Sequence, residues 1–137
     1  MMNEARVPES ETRNKSPQPR RILVVDDERP IRDIIGKVLS AAGHIVESCG
    51  DGRAAVEKTN GARYDLVILD FNLPITNGAE VIRDLRAQGN QVPILFTSCQ
   101  TEEMLGSLSG GAALVFYLPK PFRLEDLCAA VVRAMAA

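Results

Sequence analysis

The 137-residue sequence contains no tryptophan and only four phenylalanines and two tyrosines. Its interior must therefore be filled by Ile, Leu, Val and Ala, within an apolar share of 45%. The single histidine, His44, cannot build a histidine metal site. The three cysteines, Cys49, Cys99 and Cys128, are far apart, odd in number and in no metal-ligand spacing. They read as free, packed thiols in a reducing compartment. No apolar run nears the ~20 residues of a membrane span, and the start lacks the apolar stretch of a secretory signal. These absences give the expectation of a cytoplasmic protein without membrane contact. The formal net charge is −2, which provides no general attraction for nucleic acid.

What is present divides into a leader and one domain. Residues 1–20 carry Pro8, Pro17 and Pro19 among Ser, Asn, Gln and mixed charge, the composition of a disordered tail. Residues 21–137 are long enough for one domain. Ile22, Leu23, Val24 and Val25 form a branched run suited to a parallel strand covered on both faces. After Asp26, Asp27 and Glu28, Pro30 suits the first turn of a helix. Ile31, Ile34, Ile35, Val38, Leu39 and Ala42 follow at helical spacing, and Gly43 is a natural stop.

The alternation repeats. Further strands are expected over residues 44–48, 64–69, 92–96 and 113–118. Helices are expected over 53–60, 80–87, 101–108 and 124–135. Five strands alternating with five helices predict an α/β fold, a doubly wound five-stranded parallel sheet with helices on both faces. In such sheets ligands bind beyond the carboxyl ends of the strands. Asp26 and Asp27 follow the first strand, Asp70 ends the third, Thr97 follows the fourth and Lys120 the fifth. One pocket is expected to collect them.

Three converging carboxylates repel one another unless a cation offsets them. Oxygen ligands without Cys or His favour Mg²⁺ or Mn²⁺ over zinc. Capping of the first helix by Asp27 or Glu28 is the plainer use of the acidic run, but it does not explain Asp70 or Lys120. A carboxylate beside such a cation is a nucleophile for a phosphoryl group. Lys120 would offset charge on the transferring oxygens, and the Thr97 hydroxyl and main-chain N–H groups near Asn72 and Ser98 could donate to them.

The stretches ILVVDDERPIR, YDLVILDFNLPITNG, PILFTS and YLPKPF resemble the receiver domains of bacterial two-component response regulators, of flavodoxin-like fold. The resemblance covers the chain from about residue 20 onward. It implies that Asp70 is the phosphoacceptor and that Asp26, Asp27, Asp70 and the Asn72 backbone carbonyl hold Mg²⁺. It implies catalytic and switching roles for Thr97, a phosphate-binding role for Lys120, a switch role for Tyr117 and a cis peptide before Pro121. The implied partners are a histidine kinase or histidine phosphotransfer protein and a downstream protein target. The implied chemistry is self-catalysed phosphoryl transfer and loss, not turnover of a separate substrate.

Several positions depart from the pattern. Leu73 replaces a common methionine, Ser98 a small alanine or glycine, and residues 109–116 replace polar residues with Ala, Leu, Val and Phe. An exposed Leu114 or Phe116 would offer an apolar face for a homodimer. Two rival functions stand beside the receiver. One is a phosphate-independent binding module on the same fold. The other is a Mg-dependent aspartyl-nucleophile phosphatase, which normally carries its two aspartates two residues apart after the first strand. Read as a whole gene product, the chain would be a stand-alone receiver. Read as part of a longer protein, it would serve a DNA-binding, enzymatic or kinase domain.

Overall fold

In the computed structural model, the described residues are 19–99, 101, 103, 104 and 113–136. β1 (Arg21–Val25) leads through α1 (Arg29–Ala41) to β2 (Ile45–Cys49), and α2 (Gly52–Gly61) leads to β3 (Leu66–Asp70). α3 (Gly78–Ala87) then precedes β4 (Ile94–Ser98), and β5 (Val115–Pro119) is followed by α4 (Leu124–Ala136). The strands form one parallel sheet in the order β2-β1-β3-β4-β5. This is the expected doubly wound sheet. Residues 103 and 104 are helical, while most of the helix expected over 101–108 lies outside the described residues. So does the leader expected over 1–20, apart from Pro19 and Arg20.

The branched runs are buried on both sides, as a central parallel strand requires. Leu23, Val25, Val67, Leu69, Ile94 and Phe96 pack with Ala55 of α2 and Val81, Ile82 and Leu85 of α3. Ile22, Val24, Leu66, Ile68, Leu95 and Leu118 pack on the other face with Ile35 and Leu39 of α1 and Leu127, Ala130, Val131 and Ala134 of α4. Removing a large side chain from either layer would cost about 2–5 kcal/mol.

Local chemistry fixes the helix starts. Asp51 accepts the Ala54 N–H at 2.8 Å and caps α2. Asn77 and Glu80 form a reciprocal capping box at α3. Glu28 caps α1 without a side-chain bond, and Pro30 stands in the first turn. Gly43 takes φ +97° after that helix, a conformation open to glycine without penalty.

Three strands begin two residues later than the apolar pattern predicts. Tyr64 and Val92 are buried ahead of their strands without joining the ladder. The Tyr64 hydroxyl donates to Glu47 at 2.8 Å, and the Val92 N–H is taken by the Asn90 side chain at 3.1 Å. Register then decides what meets at the other end. Asp70 lies opposite Thr97, and Ser98 lies opposite Pro119, so Lys120 emerges beside the same pocket.

The candidate phosphoacceptor site

The chain ends of β1, β3, β4 and β5 converge on this pocket. The loop after β1 brings Asp26 and Asp27 to Asp70, with ligand-capable oxygens all within 4.8 Å of one another. Asp26 and Asp70 are buried and Asp27 is exposed. Lys120 extends its ammonium between the buried pair, 3.2 Å from Asp26 Oδ2 and 3.4 Å from Asp70 Oδ1. The Lys120–Pro121 peptide is cis, as the resemblance implies.

Burial pushes the Asp70 carboxyl up from 3.8 to about 6, because removing a carboxylate from water disfavours its charged form. The Lys120 ammonium opposes that rise, Asp26 adds to it, and the Asn72 main-chain N–H favours the carboxylate. Burial alone would lower the Lys120 pKa, but the Asp70 and Asp26 carboxylates overcome it and hold the amine protonated. Asp70 Oδ1 is buried and accepts no well-formed hydrogen bond from the described residues, with the lysine at ion-pair distance.

These residues suit a divalent cation by their own chemistry. Three carboxylates cluster with oxygens within 4.8 Å of one another, Lys120 pairs with only Asp26 and Asp70 among the described residues, and a buried Asp70 oxygen is left under-coordinated there. The donors are hard oxygens in a partly open site, which suits Mg²⁺.

The remaining expected residues are placed less tightly. The Thr97 side chain is buried and its hydroxyl donates to the Leu69 carbonyl at 3.5 Å, the outer limit of a hydrogen bond. Tyr117 is half-buried, its ring 6.3 Å from that of Phe96, which in turn lies 6.1 Å from Phe71. The Asn72 side chain is on an exposed residue. Ser98 is fully buried and its carbonyl accepts the Lys120 N–H at 2.8 Å.

Sequence reasoning left out two supports of the pocket. Gly78 allows the loop after β3 to fold under itself: a Cβ there would lie 2.6 Å from the Asp70 carbonyl oxygen and from Phe96 Cε1. The Asn77-Gly78 pair marks a turn, but this closeness comes from Phe96, on another strand. Arg32 donates to the Asp26 carbonyl at 2.6 Å. No sequence pattern marks a bond to a main-chain oxygen.

Two expectations are corrected. Cys99 is exposed, so only Cys49 and Cys128 are partly packed; Cys99 follows β4, where the chain has already left the core. Phe116 packs against the α1 and α4 layer instead of standing free, because β5 turns it inward, while Leu114 is 36% exposed.

Residues 22–132 match the model of the response regulator receiver domain. This chain belongs to that family. Among curated relatives, the receiver is 43% identical over 113 residues to response regulator MprA of Mycolicibacterium vanbaalenii, covering 81% of this chain and 48% of that protein. It is 41% identical over 113 residues to MprA of Mycobacterium leprae, covering 81% and 49%. The chain thus spans about half the length of the curated relatives it matches. Among solved structures, chemotaxis response regulator CheY4 of Vibrio cholerae superposes with a TM-score of 0.79 at 32% identity, covering 85% of this chain and 99% of that one. TrrA of Thermotoga maritima, solved in complex with Mg(2+)-BeF, gives 0.74 at 30% identity, covering 84% and 98%. No helix among the described residues of the receiver is long and apolar enough to cross a membrane.

Proposed function

We propose that this receiver accepts a phosphoryl group on Asp70 from a phosphohistidine of a histidine kinase or phosphotransfer protein. One observation carries the reading: the buried, under-bonded Asp70 carboxylate lies between Lys120 and the Asp26–Asp27 pair. A carboxylate oxygen of Asp70 attacks phosphorus as the bond to the donor imidazole nitrogen breaks, and the electron pair leaves with that nitrogen. Lys120 holds a phosphoryl oxygen, and the Thr97 hydroxyl turns from the Leu69 carbonyl toward another. Asp26, Asp27, Asp70 and the Asn72 carbonyl would hold Mg²⁺, or Mn²⁺ in its place. That ion supplies charge neutralisation of the transferring group.

The surface supports a protein donor. An apolar cleft of about 550 Å³ opens beside Lys120, lined by Ile31, Ile34, Ile35, Phe122 and Leu124. Ile34 is 49% exposed at its rim, which suits docking of a donor's apolar face. Movement of Thr97 would be accompanied by a shift of Tyr117 against Phe96, whose ring it packs beside. Phosphate thereby biases a pre-existing equilibrium of packing that a downstream target reads on the β5 side. TrrA's Mg(2+)-BeF complex supports the same chemistry here. A cytoplasmic location fits a domain that meets kinases there. The adjacent Asp26-Asp27 after β1, with Asp70 on β3, fits a phosphoacceptor better than the phosphatase arrangement.

Intact mass after incubation with acetyl phosphate and Mg²⁺ tests the proposal. One labile phosphoryl adduct is expected, absent from Asp70→Asn and from a chelated sample. A folded wild type without an adduct, from acetyl phosphate or a protein donor, would favour the phosphate-independent binding module.

A further inference from the structure

β1 ends at Val25 and α1 begins at Arg29, so the Asp26 carbonyl belongs to neither ladder nor helix. A main-chain oxygen in that position needs a partner. Arg32, in the first turn of α1, supplies it: its Nη1 donates to Asp26 O at 2.6 Å. The bond is charge-assisted and correspondingly strong. Gly50, in the turn after β2, borders the same bond. A Cβ at Gly50 would stand 3.1 Å from Arg32 Nη1 and 3.9 Å from Asp26 O. The guanidinium therefore lies in the notch left by the missing side chain.

Asp26 is held at four points. Its N–H donates to Cys49 O at 3.3 Å and its carbonyl accepts from Arg32. Its carboxylate accepts the Glu28 N–H at 2.9 Å through Oδ1 and lies 3.2 Å from Lys120 through Oδ2. The Cys49 bond is long, so the arginine is the firmer of the two main-chain ties. It fixes the direction in which the chain leaves β1, and with it where Asp26 and Asp27 point.

We propose that Arg32 is a positioning residue for the cation site: its guanidinium holds the turn after β1 so that Asp26 and Asp27 face Asp70. This rests on the metal-binding reading of those carboxylates and assigns Arg32 no contact with the ion. The proposal predicts a sign that charge alone reverses. A cation beside a Mg²⁺ site repels the ion, so deleting it would tighten binding if only electrostatics mattered. Loss of positioning weakens binding instead.

The test is the Mg²⁺ affinity of the whole chain, followed by NMR titration with Mg²⁺ alone and accompanied by thermal melts. Arg32→Ala is expected to bind Mg²⁺ about tenfold more weakly, the scale of losing an outer support of a metal ligand. Arg32→Lys, which keeps a donor of reduced reach, is expected to recover most of that loss. Gly50→Ala fills the notch while leaving the charge in place, and is expected to weaken binding in the same direction. It also carries the test if Arg32→Ala does not fold. Folded Arg32→Ala or Gly50→Ala binding Mg²⁺ as tightly as wild type, or more tightly, would overturn the positioning role. A folded wild type that takes up no Mg²⁺ would instead overturn the metal reading, and this inference with it.

Discussion

Asp70 has a carboxyl whose native pKa, about 6, lies above its ordinary 3.8. Between those values the native state binds more protons than the unfolded chain. This group therefore makes the metal-free protein less stable as pH rises from 4 to 6, and the cost is complete above 6. Asp70→Asn removes it. In chelator at pH 7 the variant is expected to be more stable by up to about 3 kcal/mol, from the size of the shift. The gain should shrink as pH falls toward 4, where wild-type Asp70 is protonated; urea melts at both pH values would show it. A destabilised variant at pH 7 would contradict the burial argument. The cysteines give a second test at this scale. Burial raises the Cys49 thiol to about 11, whereas Cys99 is exposed. A maleimide reagent near neutral pH should label Cys99 well before Cys49, because the thiolate is the reactive form. Faster labelling of Cys49, located by peptide mapping, would count against the packing around β2. The convergence of Asp26, Asp27, Asp70, Thr97 and Lys120 was legible because each lies at or just beyond the end of an apolar run. Cys99 was misjudged because proximity to an apolar strand does not show where the chain leaves the core.

Among the elements, the loop from β3 to α3 and the turn before β5 each hold one non-glycine residue in the left-handed region, Ile75 and Leu114. Ile75 takes φ +75° with its side chain 74% exposed, an unfavourable conformation for a β-branched residue that packing does not offset. Ile75→Gly should raise stability by about 1 kcal/mol in denaturant melts, since relief of strain exceeds the added freedom of the unfolded chain. A loss of stability would show that the side chain is held by contacts in the folded state. Gly78, three residues on, behaves oppositely. Its missing Cβ is filled by the Asp70 carbonyl and the Phe96 ring, so Gly78→Ala should cost about 1–3 kcal/mol through overpacking. The same melts would check it, and an unchanged midpoint would contradict the close approach. Helix positions were readable from periodicity and punctuation, as with Pro30 and Gly43 around α1. Strand starts were not, because Tyr64 and Val92 are apolar and buried yet have side-chain or loop partners ahead of the ladder. The φ of Ile75 was hidden for a related reason: sequence preference points a β-branched residue toward extended backbone, and the loop overrides it.

At the scale of the whole molecule, parallel register converts distant positions into one pocket. Residues 26, 70, 97 and 120 meet because four neighbouring strands run the same way and finish at one edge. The apolar layers on the two faces hold the strands in that order, so much of the fold's stability lies away from the polar end. That division lets the buried Asp70 carboxylate, with an oxygen unsatisfied among the described residues, persist beside the Lys120 ammonium. The architecture and the carboxylate cluster were both legible from the alternation of runs and breaks. The clamp from Arg32 to the Asp26 carbonyl was not, since it depends on where two main-chain segments approach.

On the proposed function, Asp70 itself carries the phosphoryl group. Borohydride reduction tests it most directly, because an acyl phosphate is reduced to the alcohol while a free carboxylate is left intact. Protein phosphorylated with acetyl phosphate and Mg²⁺, then reduced and mapped by peptide mass, should show homoserine at position 70 and unaltered aspartate at 26 and 27. Homoserine at either of those positions with Asp70 unmodified would contradict the assignment.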